Sequence, residues 1–131
     1  MERLDNTSIL IVDDDEETLA LYLRALERMG ARVAGARDAA TALAVVAQAR
    51  PDIVLCDLHL PGIDGYELLE QMHARAESSD LPVIAISGSH PMLEADRCKA
   101  AGFVEHLTKP VRLDVIVSAI QRHHAGHPAR A

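Results

Sequence analysis

Apolar residues fall into two alternating patterns along this chain. Ile9-Leu10-Ile11-Val12, Ile53-Val54-Leu55-Cys56 and Val83-Ile84-Ala85-Ile86 are unbroken apolar runs with no polar alternation. Pro51 before the second run and Pro61-Gly62 after it stand too close together for a helix. Such runs predict strands buried on both faces, as in a parallel sheet. The predicted strands are Ser8 to Val12, Arg32 to Ala36, Ile53 to Cys56, Pro82 to Ile86 and Phe103 to Leu107. The second, anchored mainly by Val33, is the weakest and is expected near an edge.

Helical spacing fills the intervals. Asp15 caps a helix with the stripe Leu19, Tyr22, Leu23 and Leu26, stopped by Gly30. Asp38 caps an alanine-rich helix through Gln48 with Leu43, Val46 and Ala47 on one face, and Asp64 caps a third carrying Leu68, Leu69 and Met72. Ser78 to Asp80 reads as a loop. Pro91 to Ala101 predicts a helix with a thin apolar face, and Leu113, Ile116, Val117 and Ile120 form the clearest amphipathic stripe. Five strands alternating with five helices predict an α/β fold, a doubly wound parallel sheet covered on both faces. The expected organisation is a polar lead-in over 1–7, one domain over 8–122 and a loose tail over 123–131.

Composition narrows the function. At 131 residues the chain fits one domain. Its 13 Lys+Arg against 20 Asp+Glu give a net charge of −7, and the basic residues form no patch, which argues against direct nucleic-acid binding. No leader or membrane-length apolar segment is evident, so a cytoplasmic location is expected. Cys56 and Cys98 lack CxxC spacing and read as reduced structural thiols. The seven histidines form no strong ligand pair, and His123, His124 and His127 fall in the expected tail.

Strand ends carry the chemistry. In an open parallel sheet the carboxyl ends line a common crevice, where Asp13 and Asp14, Asp57, Ser87 and Lys109 would meet. Three converging acids repel one another unless a hard divalent cation joins them, and Mg²⁺ suits so small a carboxylate set. Lys109 adds opposite charge and Ser87 a neutral donor. These are the parts that hold a phosphoryl group in transfer, with a carboxylate as the attacking oxygen.

These residues resemble the receiver domain of two-component response regulators over roughly Thr7 to Arg122. The resemblance rests on the acidic pair, on Asp57 followed by Leu60-Pro61-Gly62-Ile63-Asp64-Gly65, on Ser87 and on Lys109-Pro110. It implies a flavodoxin-like fold with strand order 2-1-3-4-5. It further implies that Asp57 is the phosphoacceptor. Asp13 and Asp14 would bind Mg²⁺, with Asp14 the more direct ligand, and His59 would offer a backbone carbonyl to the metal. Lys109 would pair with phosphoryl oxygens and Ser87 would act as the switch hydroxyl. The phosphoryl donor would be a histidine kinase or histidine phosphotransfer protein, and a downstream protein would read the surface of the fourth helix, fifth strand and fifth helix, where a weak dimer is also expected. Such a domain is regulatory and assists its own phosphorylation and dephosphorylation.

Departures from the common pattern are Ser87 in place of Thr, and His106 where Tyr or Phe is usual. An imidazole at position 106 would make the coupling from phosphate to surface weaker or pH-dependent. His59 and Ser89 occupy positions used to tune dephosphorylation. The tract from Ala101 to Val111 is similar to receivers of hybrid histidine kinases. A dehalogenase-like phosphatase would need an acid at position 59, and a flavin module would need a Ser/Thr-rich phosphate loop and aromatics. The main alternative is a scaffold receiver that works through protein contacts without phosphate turnover.

Overall fold

The computed structural model describes residues 3–88 and 91–124. The elements run β1 (Ser8–Val12), α1 (Glu16–Arg28), β2 (Arg32–Ala36), α2 (Ala39–Gln48), β3 (Ile53–Asp57), α3 (Gly65–His73), β4 (Val83–Ser87), α4 (Pro91–Ala101), β5 (Glu105–Thr108) and α5 (Leu113–His124). All five strands are parallel, in the order β2-β1-β3-β4-β5. This is the flavodoxin-like arrangement, with β2 at one edge as its weak apolar pattern predicted.

Strand alternation sorts the core into two layers. Ile9, Ile11, Ile53, Leu55, Ile84, Ile86 and Leu107 face Leu26 of α1 and Ile116 and Ile120 of α5. Leu10, Val12, Val54, Cys56, Val83 and Ala85 face Ala42 and Val46 of α2, Leu68 and Met72 of α3, and Cys98 and Phe103. Both faces of the three central strands are therefore dry, which is why their sequences show no polar alternation.

Asp15, Asp38 and Asp64 each accept a backbone N–H in the first turn of their helix, as expected of N-caps. Helix α1 ends at Arg28, and Gly30 follows with φ +97°, a conformation glycine adopts without a side-chain penalty.

Several expectations need correction. Leu4 is buried and its N–H donates to the Met29 carbonyl at 2.7 Å, so part of the polar lead-in is packed. In β2 the buried residue is Ala36, while Val33 is half-buried. Ala47 is exposed, and α2 buries Ala39, Ala42 and Val46 instead. Residues 76–78 form a 3₁₀ turn, and the wholly buried Ser78 donates to the Met72 carbonyl at 2.6 Å. Strand β4 runs one residue further, through Ser87, and β5 begins at Glu105, with Phe103 buried ahead of it. Helix α5 extends through His123 and His124, whereas residues 125–131 lie outside the described residues. Glu105 holds that last turn, accepting from Arg122 Nη2 at 2.5 Å and bonding His123 Nε2 at 2.8 Å.

Candidate phosphoryl-transfer site

The run Asp13-Asp14-Asp15 divides between two tasks. Asp15 accepts the Glu17 N–H at 3.3 Å and the Thr18 hydroxyl at 2.6 Å, and so belongs to α1. Asp13 prolongs the sheet, its N–H donating to the Ala36 carbonyl at 3.0 Å, and its carboxylate accepts the Asp15 N–H at 2.9 Å. Asp14 stands exposed at the rim.

Asp57 closes β3 and is 5% exposed. One carboxylate oxygen accepts the His59 N–H at 2.9 Å, and the other accepts from Lys109 Nζ, also at 2.9 Å. The backbone at Asp57 is gripped from behind by Gly65. A Cβ on that glycine would lie 2.9 Å from the Asp57 carbonyl oxygen, so only glycine lets α3 start this close to the strand end. Lys109 is fixed through its own N–H, which donates to the Ser87 carbonyl at 2.9 Å.

Ligand atoms of Asp13, Asp14 and Asp57 all lie within 4.8 Å of one another. Lys109 Nζ is the cation among them, 2.9 Å from Asp57 and 3.7 Å from Asp13. Burial pushes the Asp13 carboxyl above the usual carboxylate range; the negative Asp57 and Asp14 add to this, and together they outweigh the Asp15 N–H and Lys109. Burial also pulls the Lys109 ammonium down, but its bond to Asp57 and the charges of Asp57 and Asp13 more than reverse that. Three carboxylates against one ammonium leave the cluster short of positive charge. An all-oxygen, strongly anionic donor set of this kind fits a hard divalent cation such as Mg²⁺.

Four residues singled out in the sequence, Asp13, Asp14, Asp57 and Lys109, thus come together. His59 is exposed and contributes its N–H to Asp57. Ser87 is 1% exposed, and its hydroxyl bonds His106 Nε2 at 3.1 Å. Ser89 lies outside the described residues. Sequence reasoning missed Tyr66, Glu94 and Arg97, which with Asp14, His59 and Asp64 line a cleft of about 420 Å³ beside the cluster. The available signal was that Tyr66 is one of only three aromatic residues in the chain.

Known proteins share this order of elements. The family model of the response regulator receiver domain matches residues 9–121. The transport regulatory protein DctD of Pseudomonas aeruginosa is 33% identical over 116 residues, which make up 88% of this chain and 25% of DctD. PilH of the same organism is 32% identical over 118 residues, 90% of this chain and 98% of PilH. The sensor histidine kinase RcsC of Escherichia coli is 37% identical over 112 residues, 86% of this chain and 12% of the kinase. The chain therefore spans a quarter or less of two of these relatives and nearly the whole of the third. A crystal structure of a putative response regulator from Chloroflexus aurantiacus superposes with a TM-score of 0.80 at 30% identity, over 91% of this chain and 98% of that one. With the match extending from its first strand to its last helix, and with the acid cluster standing at the carboxyl edge of the sheet, the chain belongs to the response regulator receiver domain family.

Proposed function

We propose that this domain accepts a phosphoryl group on Asp57 from a phosphohistidine of a kinase or phosphotransfer protein, with Mg²⁺ held by Asp13, Asp14, Asp57 and the His59 backbone carbonyl. The observation that carries this reading is the gathering of three carboxylates, two of them paired with one ammonium, at the end of a buried strand. A carboxylate oxygen of Asp57 bonds to phosphorus as the P–N bond of the donor breaks, and the departing imidazole keeps the bonding pair and takes a proton. Lys109 stabilises charge on the transferring oxygens, having exchanged its contact with the carboxylate for one with the phosphoryl group. A bound divalent cation adds the positive charge that Lys109 alone does not supply. Ser87 then closes on the phosphoryl oxygens, and the change leaves through α4, β5 and α5 to a protein partner or a weakly bound second copy.

The test is labelling with acetyl phosphate in the presence of Mg²⁺. Wild-type protein takes up one phosphoryl group, stable to acid and lost in base, and Asp57→Asn takes up none. Equal labelling of Asp57→Asn would assign the nucleophile elsewhere. Absence of labelling in both would favour a scaffold role.

A further inference from the structure

The Ser87–His106 contact joins a hydroxyl that donates or accepts to a ring nitrogen that does either, according to its tautomer. The two arrangements differ in consequence. If Nε2 carries no proton, Ser87 donates to the ring and its hydrogen points away from the crevice. If Nε2 is protonated, Ser87 accepts from the ring and its hydrogen is released for another acceptor. A protonated imidazolium has only the second option.

We infer that His106 is a positioning residue for Ser87: by donating from Nε2 it turns the Ser87 hydrogen toward a phosphoryl group on Asp57, and it does so most completely when the ring is charged. The inference rests on the acceptor reading above and gives its pH dependence a sign. Ser87 is the last residue of β4, directly after Ile86, which pairs with Asp57 across the sheet. Among the described residues the ring is the partner of this buried hydroxyl, so the tautomer decides where its hydrogen goes.

His106 is half-buried and lines a groove of about 260 Å³ with Cys98 and Lys99 of α4 and Glu105 of its own strand. Glu105 is already engaged by Arg122 and His123 of α5, and burial pushes the Cys98 thiol up, keeping it neutral. Beyond Ser87, Lys109 is paired with Asp57. Among the described residues, the charges near the ring are thus the Lys99 ammonium in the groove, the Glu105 carboxylate committed to α5 and the paired Lys109–Asp57 site.

Beryllofluoride binding in the presence of Mg²⁺ tests this at about pH 5.5 and about pH 8, on either side of the ordinary histidine value of about 6.5. Wild-type protein should bind roughly three- to tenfold more weakly at the higher pH, beyond any change seen in His106→Phe, which corresponds to one hydrogen bond. His106→Gln, which can donate without titrating, should show the flat profile of His106→Phe with affinity nearer that of wild type at low pH. Nitrogen-15 spectra of the bound wild-type protein should show Nε2 protonated at both values. Identical pH profiles in wild type and both variants, or an Nδ1-protonated neutral ring in the bound protein, would overturn the inference and leave the acceptor reading intact. Wild-type protein that bound no beryllofluoride at either pH would overturn both together.

Discussion

Asp13 works against the stability of the fold that holds it. Its carboxyl is raised above the usual range, chiefly by burial, so carrying a charge in the folded state is a penalty. That penalty is absent below the ordinary carboxylate value and complete above the raised one. Asp13→Asn should therefore raise the Tm of Mg²⁺-free protein at pH 7 by a few degrees, a gain that vanishes below about pH 4. An asparagine oxygen can still accept the Asp15 N–H, so the turn survives. Mg²⁺ should no longer add its full stabilisation to the variant. Asp14→Ala should weaken Mg²⁺ binding more than Asp13→Ala, since both Asp13 oxygens already face a partner, the Asp15 N–H or Lys109, whereas Asp14 stands at the exposed rim. Calorimetric titration checks the order, and equal losses would mean that the two acids share the ion evenly. The gathering of these acids was legible because two apolar runs stop at them, Ile9 to Val12 at Asp13-Asp14 and Ile53 to Cys56 at Asp57. The Ser87–His106 bond was not, since it joins neighbouring strands whose register only the folded sheet defines.

Among the elements, α4 depends heavily on polar contacts. Of its described side chains only Cys98 is buried, and Leu93 is 74% exposed. Tyr66 of α3 supplies the attachment: its hydroxyl bonds the Glu94 carboxylate and lies 3.4 Å from the Cys98 sulfur, and the Arg97 guanidinium stacks 3.9 Å over its ring. Phe103 meets the same ring edge-on at 5.6 Å. Burial, then the bonds to Cys98 and Glu94, push the phenol well above its usual range, so it remains a donor. Tyr66→Phe keeps the ring and removes the hydroxyl, and amide exchange in α4 should quicken roughly three- to tenfold while the central strands are unchanged. Uniform acceleration, or none, would show that α4 is not fastened there. The thin apolar face of α4 was apparent in the sequence, but its fastening to Tyr66 was not, because apolar periodicity carries no information about polar clamps. The end of α5 was misjudged for the same reason: Glu105, not an apolar stripe, holds His123.

For the molecule as a whole, the division of the core into two layers explains what could be foreseen. The central strands β1, β3 and β4 are dry on both faces, so their positions follow from unbroken apolar runs, within a residue at either end. The edge strands β2 and β5 are half-open, and there the expected anchor or boundary shifted. The same topology gathers residues 13, 14, 57 and 109 at one edge, although they are spread over most of the chain. No helix among the described residues is long and apolar enough to cross a membrane.

On the proposed function, this edge of the sheet delivers a phosphoryl group to one carboxylate with the help of a divalent cation. Borohydride trapping followed by peptide mass mapping tests it most directly, on protein incubated with acetyl phosphate and either Mg²⁺ or excess EDTA. A reduced, homoserine-type mass is expected at Asp57 alone, abundant with Mg²⁺ and nearly absent with EDTA. Modification at any other carboxylate, or equal modification of Asp57 without the cation, would contradict it.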